Sequence, residues 1–123
     1  MTHSSFAERL DETADLLACA LDAIEQGGEQ VDLDDLVGLL GYQLLACMRL
    51  VERDPGLEAA ASDLFAAATA LVRESRNGSR PSPRIQRLVR EARTRFTCRL
   101  GSARPSVHGT KIMWRHHELV KAA

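Results

Sequence analysis

The chain has few aromatic residues and almost no lysine. Only 4% of its 123 residues are Phe, Tyr or Trp, and its basic residues are 14 Arg and two Lys. Aromatic side chains therefore cannot dominate the core, while Ala and Leu are abundant. Because Ala and Leu lose little side-chain freedom in helices, the composition favours an all-α fold.

Long apolar runs are also missing. The longest uncharged apolar stretch is Leu36–Met48, with Gln43 inside it, whereas a membrane span needs about 20 residues. The first 15 residues contain four carboxylates and no apolar segment, so we expect neither a signal peptide nor contact with a membrane. Three cysteines, an odd number, indicate reduced thiols and a cytoplasmic location.

Catalytic and metal-binding motifs are absent as well. The sequence has no CxxC or HExxH pattern, and no local pattern supplies a nucleophile with an oriented base. Adjacent His116 and His117 would point about 100° apart on a helix, so they are poorly placed to share a metal ion. We therefore predict that the protein has no cofactor, no metal site and no enzymatic activity.

Four segments repeat apolar residues at alternating steps of three and four, which places these side chains on one stripe of a helix. The stripes are Leu10, Ala14, Leu17, Leu21 and Ile24; Leu33, Val37, Leu40, Leu44, Cys47 and Val51; Leu57, Ala61, Leu64, Ala68 and Leu71; and Ile85, Val89, Ala92 and Phe96. No segment alternates with period two, so strands are not expected.

Capping residues set the predicted helix bounds. Ser5 with Glu8 forms a capping box, Asp32 caps the second helix, and Pro55 and Pro83 suit first helical positions. We predict helices over about 5–26, 33–53, 55–75 and 83–100, a short helix over 111–121, a hinge at 75–81 and a loop at 101–109. The short links favour a single domain over 1–123, an antiparallel four-helix bundle with a short additional C-terminal helix.

Charge is divided along the chain. Residues 1–72 contain 14 Asp and Glu against three Arg, a net charge of −11, while residues 73–123 contain 13 Lys and Arg against three Glu, a net charge of +10. The outward carboxylates of the first helix and the outward arginines of the fourth meet only at their flanks, so both surfaces remain available to other molecules.

The second helix is apolar almost all round. Besides its stripe it carries Leu39, Leu45 and Leu50, and Gly38 and Gly41 permit close approach of another backbone. One interpretation is that neighbouring helices cover these residues. The other is that part of the helix forms a dimer interface, and we expect a homodimer. The predicted self-association residues are Leu39, Tyr42, Leu45 and Leu50.

Arginines crowd the start of the fourth helix, where the helix dipole is already positive. These side chains either are solvated or pair with acidic residues of a neighbour, or they bind nucleic-acid phosphates. The predicted partner-binding or anion-binding residues are Arg80, Arg84, Arg87, Arg90, Arg93 and Trp114. Trp114 is included because an outward tryptophan is a frequent anchor for a partner. The stripe of Ile112 and Leu119 on the same predicted helix is expected to fold back over the bundle.

These features favour a small non-enzymatic helical-bundle protein that acts as a protein–protein interaction or regulatory adaptor module. It would self-associate through its second helix and bind an unidentified protein partner through its charged faces. The alternative is a nucleic-acid-binding regulatory protein that contacts phosphates through the Arg-rich fourth helix. An enzyme ranks third, because the four stripes lack the inward polar groups that an active site needs.

Overall fold

A computed structural model of the chain describes residues 5–27, 32–76 and 80–106. These residues form four helices and no strand: α1 (Phe6–Gln26), α2 (Leu33–Leu50), α3 (Pro55–Arg76) and α4 (Pro83–Gly101). The predicted all-α class is therefore confirmed. The fifth helix that the sequence predicts at 111–121 lies outside the described residues.

Short polar side chains begin the helices where the sequence placed the caps. The Ser5 hydroxyl accepts a hydrogen bond from the Glu8 amide at 3.1 Å, and the Ser82 hydroxyl accepts one from the Ile85 amide at 3.3 Å. A carboxylate oxygen of Asp32 caps the first turn of α2. These bonds satisfy amides that have no partner inside their own helix.

One apolar stripe from each helix meets in a single core. The buried members are Leu17, Ala20, Leu21 and Ile24 of α1; Leu40, Leu44 and Cys47 of α2; Leu57, Ala60, Ala61, Leu64, Ala68, Leu71 and Val72 of α3; and Ile85, Val89, Ala92, Phe96 and Leu100 of α4. The most extensive contacts join α1 to α2 and α3 to α4, and α2 also packs on α3. Cys47 on the predicted stripe is buried, as expected.

The end of α2 differs from the prediction. The helix stops at Leu50 rather than at residue 53, because Val51 is extended (φ −119°, ψ 162°) and pairs with Pro105 in an antiparallel bridge. Two backbone hydrogen bonds flank the bridge: the Glu52 amide donates to the Arg104 carbonyl at 2.8 Å, and the Ser106 amide donates to the Leu50 carbonyl at 3.0 Å. A contact distant in sequence therefore ends this helix.

The predicted hinge and the predicted loop both begin later than expected, because the helix before each one is longer. Helix α3 continues through Arg76, so residues 75 and 76 of the predicted hinge are helical, and residues 77–79 lie outside the described part. Helix α4 includes Gly101, the first residue of the predicted loop. In both cases the helix continues one residue past its predicted end, into the start of a segment whose turn-forming residues favoured a loop.

Candidate interaction surfaces

Helix α2 exposes a row of large apolar side chains on the side opposite its buried stripe. Tyr42 is 67% exposed, Leu45 is 53% exposed and Leu39 is 43% exposed. We call these three residues the α2 ridge. Large apolar side chains that adjoin one another at a surface are typical of interaction sites.

A groove of about 400 Å³ lies on the α3 side of this ridge. Its walls include Tyr42, Leu45 and Met48 of α2 and Phe65 of α3. Gly41 allows the two helices to approach here, since a Cβ at that position would lie 3.1 Å from Cε1 of Phe65. Phe65 is itself partly exposed, so the apolar surface continues from α2 onto α3.

Leu50, the fourth predicted self-association residue, is placed differently. It is half-buried and lines a second groove, on the α1 side of the ridge, together with Arg9 and Thr13 of α1. The structure therefore brings Leu39, Tyr42 and Leu45 to the exposed side of α2 and sets Leu50 at its flank.

Four of the predicted anion-binding arginines are exposed, one just before α4 and three in its first half. Arg80, Arg84, Arg87 and Arg90 are all exposed, and none forms an ion pair with a described residue. We call these four residues the arginine face. No acidic residue lies in the first turn of α4, so the helix dipole adds to their positive potential.

Arg93 is placed differently from the arginine face. Its Nη1 donates to Oδ1 of Asp22 and to Oε2 of Glu25, both at 2.8 Å. Arg95 also lies 3.6 Å from a carboxylate oxygen of Asp63. The acidic and basic halves of the chain therefore pair within one molecule at these positions, and Arg93 has its carboxylate partners already.

The ion pair of Arg93 affects its proton affinity. Partial burial lowers the pKa of Arg93, but hydrogen bonds and Coulomb attraction to Asp22 and Glu25 outweigh that effect and raise the pKa overall. Arg93 thus stays charged, and its role in the described structure is to tie α4 to the end of α1.

The cysteines differ in their accessibility. Cys19 and Cys98 are exposed and Cys47 is buried, and none forms a disulfide. Burial raises the pKa of the Cys47 thiol to about 11. Because the thiolate is the reactive form, Cys47 is protected by both position and protonation.

Two kinds of site are not found in the described part of the chain. Residues 5–27, 32–76 and 80–106 contain no group of three His, Cys, Asp or Glu side chains that could hold a metal ion. None of the helices formed by these residues is long and apolar enough to cross a bilayer. Trp114, the remaining predicted contact residue, lies outside the described ranges.

Sequence reasoning missed two features that depend on neighbouring helices. Phe65 lies beside the α2 ridge. The one sequence signal for its exposure was its position outside the apolar stripe of α3. Arg9 and Arg49 both line the α1–α2 groove. Both are isolated arginines in an acidic half, which is the only local hint that they have a special position.

Comparison of the chain with protein-family models, with curated proteins and with solved structures finds no match in any of the three.

The Arg93 ion pairs should contribute measurably to stability. Replacing Arg93→Gln removes both charge-assisted hydrogen bonds, and we expect the free energy of unfolding to fall by about 1–2 kcal/mol, because the pairs are only partly shielded from solvent. Urea denaturation followed by circular dichroism measures the loss. Arg90→Gln on the same helix is the matched control and should change stability by less than about 0.5 kcal/mol; equal losses would contradict the structural role of Arg93.

The buried thiol predicts a pH dependence. The folded pKa of Cys47 lies near 11, above the ordinary 9.0, so the folded state holds this proton more tightly than the unfolded state. Its contribution to stability is complete below pH 9 and is lost as the pH rises to about 11. Urea denaturation across this range should show a steeper fall for the wild type than for Cys47→Ala. Cys98→Ala, the exposed control, should retain the wild-type slope, and a flat wild-type profile relative to Cys47→Ala would refute this.

Proposed function

We propose that this protein is a small non-enzymatic adaptor that self-associates through α2 and binds an acidic protein partner through the arginine face. Its four helices form an antiparallel bundle in this proposal, and it acts in the cytoplasm, where thiols such as Cys19 and Cys98 stay reduced. The observation that carries the proposal is the exposed α2 ridge, on a helix whose opposite side lies in the core.

The pairing of helix ends supports the antiparallel arrangement. The α1–α2 groove joins Arg9 near the start of α1 to Leu50 at the end of α2. Ala70, in the later half of α3, lines a groove with Ile85 near the start of α4. In each pair the early part of one helix lies beside the late part of the other, as expected for antiparallel helices joined by short connections.

Self-association is supported by the continuity of the apolar surface. Tyr42 and Leu45 stand beside Phe65 with the α2–α3 groove between them. Such a surface can receive a copy of itself about a twofold axis, since a twofold interface uses the same patch on both subunits. Burial of these side chains against a second copy is worth about 25 cal/mol for each Å² of apolar area.

The arginine face supports recognition of anionic groups. Its four guanidinium groups have no ion-pair partner among the described residues, and guanidinium forks bind carboxylates and phosphates in the same bidentate geometry. An acidic protein is favoured over a nucleic acid, because a protein can present carboxylates to the arginine face alone. The continuous phosphate backbone of a duplex would also approach the exposed carboxylates of α1 in the same small molecule and be repelled by them.

Disruption of the α2 ridge should produce a monomer. We expect Leu45→Glu to abolish self-association at tens of micromolar protein, because a carboxylate would have to be buried in the interface. Size-exclusion chromatography with light scattering measures the mass. Leu88→Glu on α4, at a position 44% exposed, is the matched control and should leave the dimer intact. A wild-type protein that is a strict monomer at this concentration would remove self-association from the proposal.

Reversal of the arginine face separates the two kinds of partner. A glutamate-rich peptide and a DNA duplex of arbitrary sequence are titrated against the wild type at low and high salt. We expect the peptide to bind and the triple variant Arg84→Glu, Arg87→Glu, Arg90→Glu to lose that binding, whereas the corresponding triple Lys variant retains most of it. Binding of the duplex alone, with a steep salt dependence, would instead establish the nucleic-acid function.

A further inference from the structure

The groove between α1 and α2 differs from the other surface grooves in combining an apolar floor with two arginines. It has a volume of about 410 Å³. Leu45, Ala46 and Leu50 provide its apolar surface. The charged residues of its walls are Arg9, Glu12 and Arg49. An occupant must therefore offer apolar side chains together with polar or charged groups.

The backbone leads the rest of the chain to the end of the same groove. The Ser106 amide donates to the carbonyl of Leu50 at 3.0 Å, and Leu50 lines the groove. Residues 107–123 follow directly from this anchored point. The lining residues of α2 run from Tyr42 to Leu50. At 1.5 Å of rise per residue these two ends are only about 12 Å apart along the helix axis. A chain of this length can reach every wall.

The composition of residues 107–123 matches the groove. The segment contains Ile112, Trp114 and Leu119 as large apolar residues and Glu118 as its one carboxylate. Its other charges, from two Lys and one Arg, are positive. The α1 surface is exposed and acidic at Glu8, Asp11, Glu12 and Asp15, so electrostatic attraction favours docking of this segment beside α1.

We propose that residues 107–123 dock in the α1–α2 groove of their own chain and bury Trp114 there. The connection at Ser106 keeps the segment at an effective concentration in the millimolar range, which no free partner would reach. This docking does not rest on the proposed self-association, because it uses the groove on the α1 side of the α2 ridge. Tyr42 and Leu45 line the grooves on both sides of the ridge, so the two proposals are tested by separate measurements.

Trp114 makes the docking directly measurable, because it is the only tryptophan in the chain. The full-length protein is diluted until light scattering reports a monomer. We expect a blue-shifted Trp114 emission and acrylamide quenching severalfold weaker than that of free tryptophan. Ala46→Glu and Ala46→Lys both obstruct the groove, so both should shift the emission to that of a water-exposed indole. Ala66→Glu, at an exposed position of α3, is the matched control and should leave the Trp114 emission unchanged.

A second measurement tests how close Trp114 lies to a wall of the groove. In a Cys19→Ser, Cys98→Ser background, Arg49→Cys is labelled with a nitroxide, while the buried Cys47 stays unlabelled. The label should quench Trp114 strongly, because nitroxide quenching requires near contact. The same label at Arg87→Cys on α4 should quench it weakly.

The proposal fails if wild-type Trp114 emits as a water-exposed indole, or if the labels at positions 49 and 87 quench it equally. It also fails if the blue shift appears only as the protein concentration rises, since that result would place a second copy in the groove. A monomer with a buried Trp114 would support docking and contradict self-association, so the two proposals can be judged separately.

Discussion

Burial of one apolar stripe from each helix is the interaction on which the other features depend. Leu40, Leu64, Val89 and Phe96 are inaccessible to solvent and come from three different helices. Alanines fill much of the α3 contribution, so α3 can approach its neighbours closely without large side chains between the backbones. Each helix can present only one stripe to this core, because 3.6 residues per turn leaves the remaining side chains to face outward.

This constraint explains why α2 carries an exposed ridge. The helix has more apolar residues than one stripe can hold, and its contacts with α1 and α3 cover its flanks but not the side opposite the core. The same geometry produces a groove on each side of the ridge. Tyr42 and Leu45 line both grooves, so the two proposed contacts of α2 share side chains even though their walls differ.

Local features of the sequence were sufficient to predict the class of the fold and most members of the buried stripes. Caps at Ser5, Asp32 and Ser82 act on amides two or three residues away, and the spacing of apolar residues decides which side of a helix is buried. Neither signal identifies which helix lies beside which. The early end of α2 therefore could not be predicted, because the bridge that ends it joins Val51 to Pro105 across two intervening helices.

The same limit applies to the charged surfaces. Periodicity placed Arg93 among the outward arginines, yet it is half-buried and holds Asp22 and Glu25. It lies at the flank where α4 meets α1, and only the arrangement of the helices distinguishes a flank from an open face. Arg80, Arg84, Arg87 and Arg90 differ from Arg93 in lacking any such neighbour among the described residues. Ion pairs between the two halves thus neutralise part of the charge that is divided along the chain. The positive surface that remains for a partner is smaller than the net charge of +10 over residues 73–123 implies.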